Sequence, residues 1–179
     1  QTFNYNMLAL VDGIPKVLSL KSILEEFLSH RQIVVKRRTQ FDLQKALDRE
    51  HVLIGLKKAL DHIDEIIKII KKSKDAADAS RNLISAFKFS LIQATAILEM
   101  KLQSLASLER EKIEEELKEK KKIIVELTTL LKSQAKIRGV IKDELADVKT
   151  RFGDNRRTKV VASGLKDFKA EDLVPQEEA

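Results

Sequence analysis

Cysteine is absent from this chain, which excludes a disulfide framework and any thiolate metal site and makes an intracellular compartment the expectation. Two prolines and five glycines in 179 residues leave few places where a helix must stop. Aromatic residues amount to 4% and tryptophan is missing. Because aromatic side chains carry much of the buried area of compact cores, an extended helical body is expected rather than a globule. No apolar run approaches the roughly 18 residues of a membrane span, and the opening "QTFNYNMLALVDG" lacks the charge-then-apolar plan of a signal peptide, so a soluble protein is expected. The chain opens on Gln1 rather than methionine, which suggests a segment of something longer.

What is present is charge and aliphatic bulk: 35% charged and 43% hydrophobic residues, the profile of long helices. Lysine and arginine number 34 against 28 acidic residues, a net charge of +6, spread in mixed-sign stretches. This balance permits contact with nucleic acid without specifying it.

The stretch "NMLALVDGIPKVLSL" sets Asp12-Gly13 between two short apolar runs, a β-hairpin signal because Gly13 tolerates the positive φ of a tight turn. Pro15 confines the second strand to a sheet edge. A lone hairpin is marginal in water, so these strands are expected to complete a sheet upstream of Gln1. Ser19 then caps a helix. Leu20, Leu24, Phe27, Val34 and Phe41 fall on an alternating four-three comb interrupted by Arg31 and Arg38. After a drift in phase the comb resumes at Leu53, Leu56 and Leu60 and runs to Ile70. The spacing predicts helix from about Ser19 to Lys72, with a break near Gly55 or Asp61.

From Lys71 to Ser90 the residues are small and polar, implying a short helix and a stop before Ser90. Ser90 and Gln93 form a capping-box pair that restarts a helix, and a further break is expected between Ser104 and Ser107. Positions 113, 117, 120, 124, 127, 131, 134, 138, 141, 145, 148 and 152 then follow strict four-three steps. Leu117, Ile124, Leu127, Leu131, Ile141 and Leu145 are among their apolar members, and Ile123, Leu130 and Ile137 widen the stripe. So narrow and long a seam marks a coiled coil, and Gly153 supplies its stop.

The two long helices have similar lengths, about 60 to 70 Å at 1.5 Å per residue, and about 46 residues separate them. The fold class expected is mainly α: a long antiparallel coiled-coil hairpin with a small helical knob at its far end, preceded by the short β-hairpin. The corresponding divisions are residues 1–18 (hairpin), 19–60 (first arm), 61–106 (knob), 107–153 (return arm) and 154–179 (linker). Within the linker a short strand is expected at Lys159–Ala162.

No catalytic constellation is visible. His51 and His62 lie about 16 Å apart along a helix, too far for one metal ion, and read as surface or seam residues. No phosphate-cradling glycine loop occurs, and no serine has a histidine at plausible spacing. Arg31, Arg37 and Arg38 are candidate contacts to nucleic-acid phosphate or to a neighbouring domain. The alternative is a solvated face, with Arg31 and Arg38 pairing with acids across the hairpin. In the knob, Leu91, Ile92, Ala96, Ile97, Leu98, Met100 and Leu102 exceed what one short helix must bury on one side. They either pack on Leu83, Ile84 and Phe87 or also meet a second copy of the chain, in which case Ile97→Asp would weaken self-association.

Three segments, in order, resemble the A subunit of bacterial type IIA DNA topoisomerases, DNA gyrase and topoisomerase IV. "ALVDGIPKVLSLKSILEEFLSHRQIVVKRRTQFDLQKALDREHVLIGL" is similar to the start of that family's helical arm. "SLIQATAILEMKLQSLASLEREKIEEELKE" is similar to the arm's tip and return, and "RFGDNRRTKV" to its end. The closing "EDLVPQEEA" is similar to the lead-in to a C-terminal DNA-wrapping domain. The resemblance implies the exit gate and dimerisation segment of an enzyme that passes one DNA duplex through another in an ATP-dependent cycle. It implies a homodimer through the knob (Leu91, Ile92, Ala96, Ile97, Met100). The partners it implies are double-stranded DNA and an ATPase B subunit, in a bacterial cytoplasmic, chromosome-associated setting. ATP and Mg2+ would act through other domains. The catalytic tyrosine would lie upstream and is not Tyr5, so this segment alone should be inactive. Leu91 stands where the family commonly has an acid, Thr95 where it has glutamine, and Ala106-Ser107 where it has Thr-Gly.

The rival reading is a basic helical arm that grips nucleic acid strongly along its length, whereas a gate segment by itself is expected to bind weakly or not at all. A third reading, a coiled-coil spacer, leaves the three ordered motifs unexplained.

Overall fold

The computed structural model describes residues 5–100 and 107–158. It is mainly helical, with a two-stranded antiparallel hairpin at its start. Strands β1 (Leu8–Val11) and β2 (Ile14–Val17) pair in register from Leu8 opposite Val17 to Val11 opposite Ile14. Asp12 and Gly13 have φ of 52° and 78°, the two positive values that a type I′ turn demands and that Asp-Gly supplies at low cost. Ser19 caps the next helix, its side chain accepting from the Ser22 N–H.

Helices follow in order: α1 (Leu20–Asp61), α2 (Ile63–Lys72), α3 (Ala76–Phe87), α4 (Leu91–Leu98), α5 (Ser107–Lys132) and α6 (Gln134–Phe152). α1 runs unbroken through Gly55 and ends at Asp61. The expected single helix from Ser107 to Phe152 is instead interrupted at Ser133, whose N–H bonds the Leu130 carbonyl in a tight turn. The break expected between Ser104 and Ser107, the side chain of Leu102 and the strand at Lys159–Ala162 lie outside the described residues.

The chain divides into two compact units between Glu144 and Leu145. In the first, α1 and α5 lie side by side, and a ladder of ion pairs gives their direction. Asp61 meets Arg110, Lys57 meets Glu114 at 3.1 Å, Arg49 meets Glu116 at 2.7 Å, and Arg38 and Arg31 both meet Glu144, the former at 2.6 Å. As one number falls the other rises, so the two segments run antiparallel. Arg49 uses two N–H groups on the two Glu116 oxygens, a fork that fixes register more than it adds energy, because exposed pairs contribute at most about 1 kcal/mol each.

The buried face of α1 is rotated from the expected comb. Val35, Thr39, Ala46, Leu53 and Leu60 are buried, with the last four spaced by seven. The expected Leu24, Phe27 and Phe41 are exposed (54%, 44% and 69%), and Val34 is half-buried. The comb was one residue out of register over this first half, about 100° around the helix. Large side chains drew it there, while the buried positions hold small or polar residues. Thr39 is tolerated inside because its hydroxyl donates to the Val35 carbonyl at 2.8 Å. Opposite α1, Leu117, Ile137 and Ile141 are buried and Ile124, Leu127 and Leu131 half-buried.

The second unit comprises, among described residues, the last turns of α6 and residues 153–158. Arg151 pairs with Asp147 at 2.9 Å, and the Gly153 N–H bonds the Lys149 carbonyl at 2.8 Å where the helix ends. Leu145, Val148 and Phe152 are exposed.

Candidate functional site

α4 is eight residues long, too short to hold its shape without support. Ser90 supplies part of that support through the expected capping box: its hydroxyl accepts the Gln93 N–H at 3.2 Å, and the Gln93 side chain accepts the Ser90 N–H at 3.1 Å. The same Gln93 amide donates to the His51 carbonyl on α1 at 2.8 Å. Gln93 is buried and lies against Gly55, where a Cβ would come within 2.6 Å of its Cγ. The glycine is therefore a notch in α1 that receives α4, not a helix break.

Docking α4 there also brings together two residues the sequence separates by 39 positions. The His51 ring nitrogen lies 2.7 Å from the Ser90 hydroxyl, which corrects the expectation that no serine has a histidine partner. The Ser90 oxygen is also the acceptor that starts α4, so the contact serves to cap and clamp. His62 stacks obliquely on Phe87, ring centres 5.5 Å apart.

Beneath α4, Ala59, Ile66, Leu83, Phe89 and Ile97 form one buried cluster flanked by Leu56, Ile69, Ile70, Phe87 and Leu98. α3 ends with Lys88 in the left-handed region (φ 55°). Lys58 reaches across to accommodate that end, donating to the Phe87 carbonyl at 2.7 Å while its ammonium sits 5.2 Å from the Phe89 ring centre. A cation at a helix C-terminus and over an aromatic face is favourable on both counts.

The five residues expected at a dimer gate fall on different sides of this structure. Leu91 and Ile92 are exposed, at 67% and 64%. Ala96 and Met100 are half-buried. Ile97 points into the chain's own cluster at 4% exposure, so Ile97→Asp, expected from the sequence to report on self-association, would instead report on the packing of α4 against its own chain. Ala94, fully buried, is the small residue that lets α4 approach. Of the arginines, Arg31 and Arg38 are engaged by Glu144, while Arg37 is exposed without an ion-pair partner among the described residues. Among the described residues no three His, Asp or Glu side chains converge as a metal site, and no helix is long and apolar enough to cross a membrane.

Glu144, Glu116 and Glu114 all titrate below the ordinary glutamate range. Hydrogen bonds from Arg38, Arg49 and Lys57, respectively, are the leading causes, with opposing desolvation and further help from the same cations' charge. A carboxyl whose pKa is lowered by folding adds stability that is complete above its unfolded value of about 4.3 and is lost as pH falls through the folded value. Glu144→Gln is accordingly expected to lower the melting temperature at pH 6, with the gap to the parent closing as pH drops below about 4. A gap that stays constant down to pH 3 would show that Glu144 contributes through shape rather than charge.

A family model for the A subunit of DNA gyrase/topoisomerase IV matches residues 1–146, and the chain belongs to this family of type IIA topoisomerase A subunits. At the level of individual proteins, the DNA gyrase A subunit of Clostridium acetobutylicum is 49% identical over 176 residues, covering 98% of this chain and 21% of that protein. The DNA gyrase A subunit of Staphylococcus aureus strain Mu50 is 47% identical over 177 residues, covering 99% of this chain and 20% of that protein. The chain thus spans about a fifth of the length of these relatives.

Proposed function

We propose that this chain forms the arm and exit gate in the A subunit of a type IIA topoisomerase. It is a non-catalytic segment of an enzyme that passes one DNA duplex through another. In this reading α1 and α5–α6 form an antiparallel coiled-coil arm. The α2–α4 cluster is the knob at its end, and two copies meet through the outer face of α4. The observation that carries it is the division of labour on that helix. Gln93, Ala94 and Ile97 bind it to its own chain, while adjacent Leu91 and Ile92 are left two-thirds exposed. Such an apolar pair, on a stretch where Lys88, Thr95 and Glu99 are also exposed, suits the centre of a modest interface that must hold and also open.

The gate's parent would act as a homodimer in a bacterial cytoplasm, its partners being DNA and a separate ATPase chain. ATP and Mg2+ would be used by parts of the protein beyond residues 1–179. Strand passage explains why the arm needs length: α1 alone spans about 63 Å at 1.5 Å per residue, which sets the knob far from the β-hairpin end.

The test is sedimentation of the chain against its Ile92→Asp and Leu91→Asp variants. A dimer at micromolar concentration is expected, with both variants shifted to monomer; at a dilution where the parent is also monomeric the melting temperatures should agree, since exposed substitutions usually move stability by no more than about 0.5 kcal/mol. A parent that sediments as a monomer at every concentration, or variants that remain dimeric, would remove α4 as the gate surface.

A further inference from the structure

Neither the chain between residues 27 and 41 nor that between residues 127 and 142 contains an aspartate or glutamate. The antiparallel pairing brings these stretches together, with Val35 buried against Ile137 and Ile141. Each carries basic residues, and the acid between them, Glu144, is occupied by Arg31 and Arg38. At the helix interruption, Ser133, the two stretches border a groove of about 370 Å3. Its polar lining consists of Ser29, Gln32, Lys36, Lys132 and Gln134, and its apolar lining of Ile33, Leu131 and the buried Ile137. None of these five polar side chains has a hydrogen-bond or ion-pair partner among the described residues.

We propose that this groove takes phosphates of a double-stranded DNA backbone. The physical case is that two ammonium groups, two side-chain amides and a hydroxyl are all free to donate, with no carboxylate in the lining to repel the ligand. Arg37, Lys136, Arg138 and Lys142, all exposed, extend the same sign beyond the groove. A field of that extent favours a polyanion over a single small anion. With two lysines in direct contact the binding is weak and strongly salt-dependent, a guiding contact along the arm rather than a grip. The inference goes beyond the gate reading and does not require self-association.

The experiment is fluorescence anisotropy of the 179-residue chain with a short labelled duplex at low salt, then with increasing salt. Lys36→Glu/Lys132→Glu is expected to weaken binding at least about tenfold and to reduce the logarithmic salt slope by about 2. Lys71→Glu/Lys72→Glu, the same charge change on exposed residues of α2, should alter it less than about twofold if position rather than net charge decides. Lys36→Ala/Lys132→Ala, with thermal melting as a control, should weaken binding in the same direction and guards against a folding defect from charge reversal. At a dilution where parent and variant are both monomeric, Ile92→Asp should bind as the parent does, which separates this proposal from the gate assignment. The proposal is overturned by no binding at low salt, by equal loss in both reversed pairs, or by inorganic phosphate binding as tightly as the duplex.

Discussion

Ile97→Asp is expected to cost at least about 4 kcal/mol and to unfold the α2–α4 region at ambient temperature. The estimate joins two effects: loss of a packed aliphatic side chain, about 2–5 kcal/mol when truncated to alanine, and the desolvation of a carboxylate, several kcal/mol when unpaired. Ile97 is 4% exposed and shares its cluster with Ala59, Ile66, Leu83 and Phe89, none of which can pair with a charge. Five residues earlier on the same chain, Ile92→Asp should leave the melting of the monomer, measured at high dilution, unchanged, because that side chain is already 64% exposed. Thermal unfolding of the two variants side by side reads the orientation of α4 directly. A small effect at Ile97 together with a large one at Ile92 would mean that the helix is turned the other way.

Much of the local architecture was legible because it rests on short-range chemistry. Asp12-Gly13, Ser19 and the Ser90/Gln93 pair each satisfy backbone donors or φ demands within three or four residues, and each does in the structure what its type and spacing imply. The helix end at Asp61 was one of two positions anticipated. What misled was side-chain size. Leu24, Phe27 and Phe41 advertise a stripe, yet α1 packs through Val35, Thr39 and Ala46, since close approach of two long helices favours small residues on the contact face. Heptad logic applied to bulk alone therefore chose the wrong register, and it recovered at Leu53, where the contact face is again aliphatic.

Long-range partnerships were less accessible. The arginines at 31 and 38 announced a need for an acid without naming it, because Glu144 lies more than a hundred positions away and resembles every other surface glutamate in sequence. Gly55 was ambiguous for the same reason. Glycine lowers helix stability by about 1 kcal/mol relative to alanine, and only the presence of Gln93 in the space a Cβ would fill explains why the helix tolerates it. The interruption at Ser133 carries no proline or glycine, so composition offered no warning.

The notch at Gly55 makes a prediction whose sign reverses with context. In the parent, Gly55→Ala gains helix preference of about 1 kcal/mol but drives a methyl group to within 2.6–2.9 Å of three Gln93 carbons. Gln93 cannot retreat without releasing its bonds to the Ser90 N–H and the His51 carbonyl, and a buried polar group left unpaired costs about 1–3 kcal/mol. A net loss of about 1–2 kcal/mol is therefore expected from denaturant unfolding, with weakened docking of α4. In a Gln93→Gly background the same alanine meets none of those atoms, and Gly55→Ala should stabilise by up to about 1 kcal/mol relative to that background. The two residues touch, so the cycle should close with a coupling energy of at least about 1 kcal/mol. Additive effects would show that α4 does not rest in the notch, and with it the geometry that turns Leu91 and Ile92 outward would lose its support.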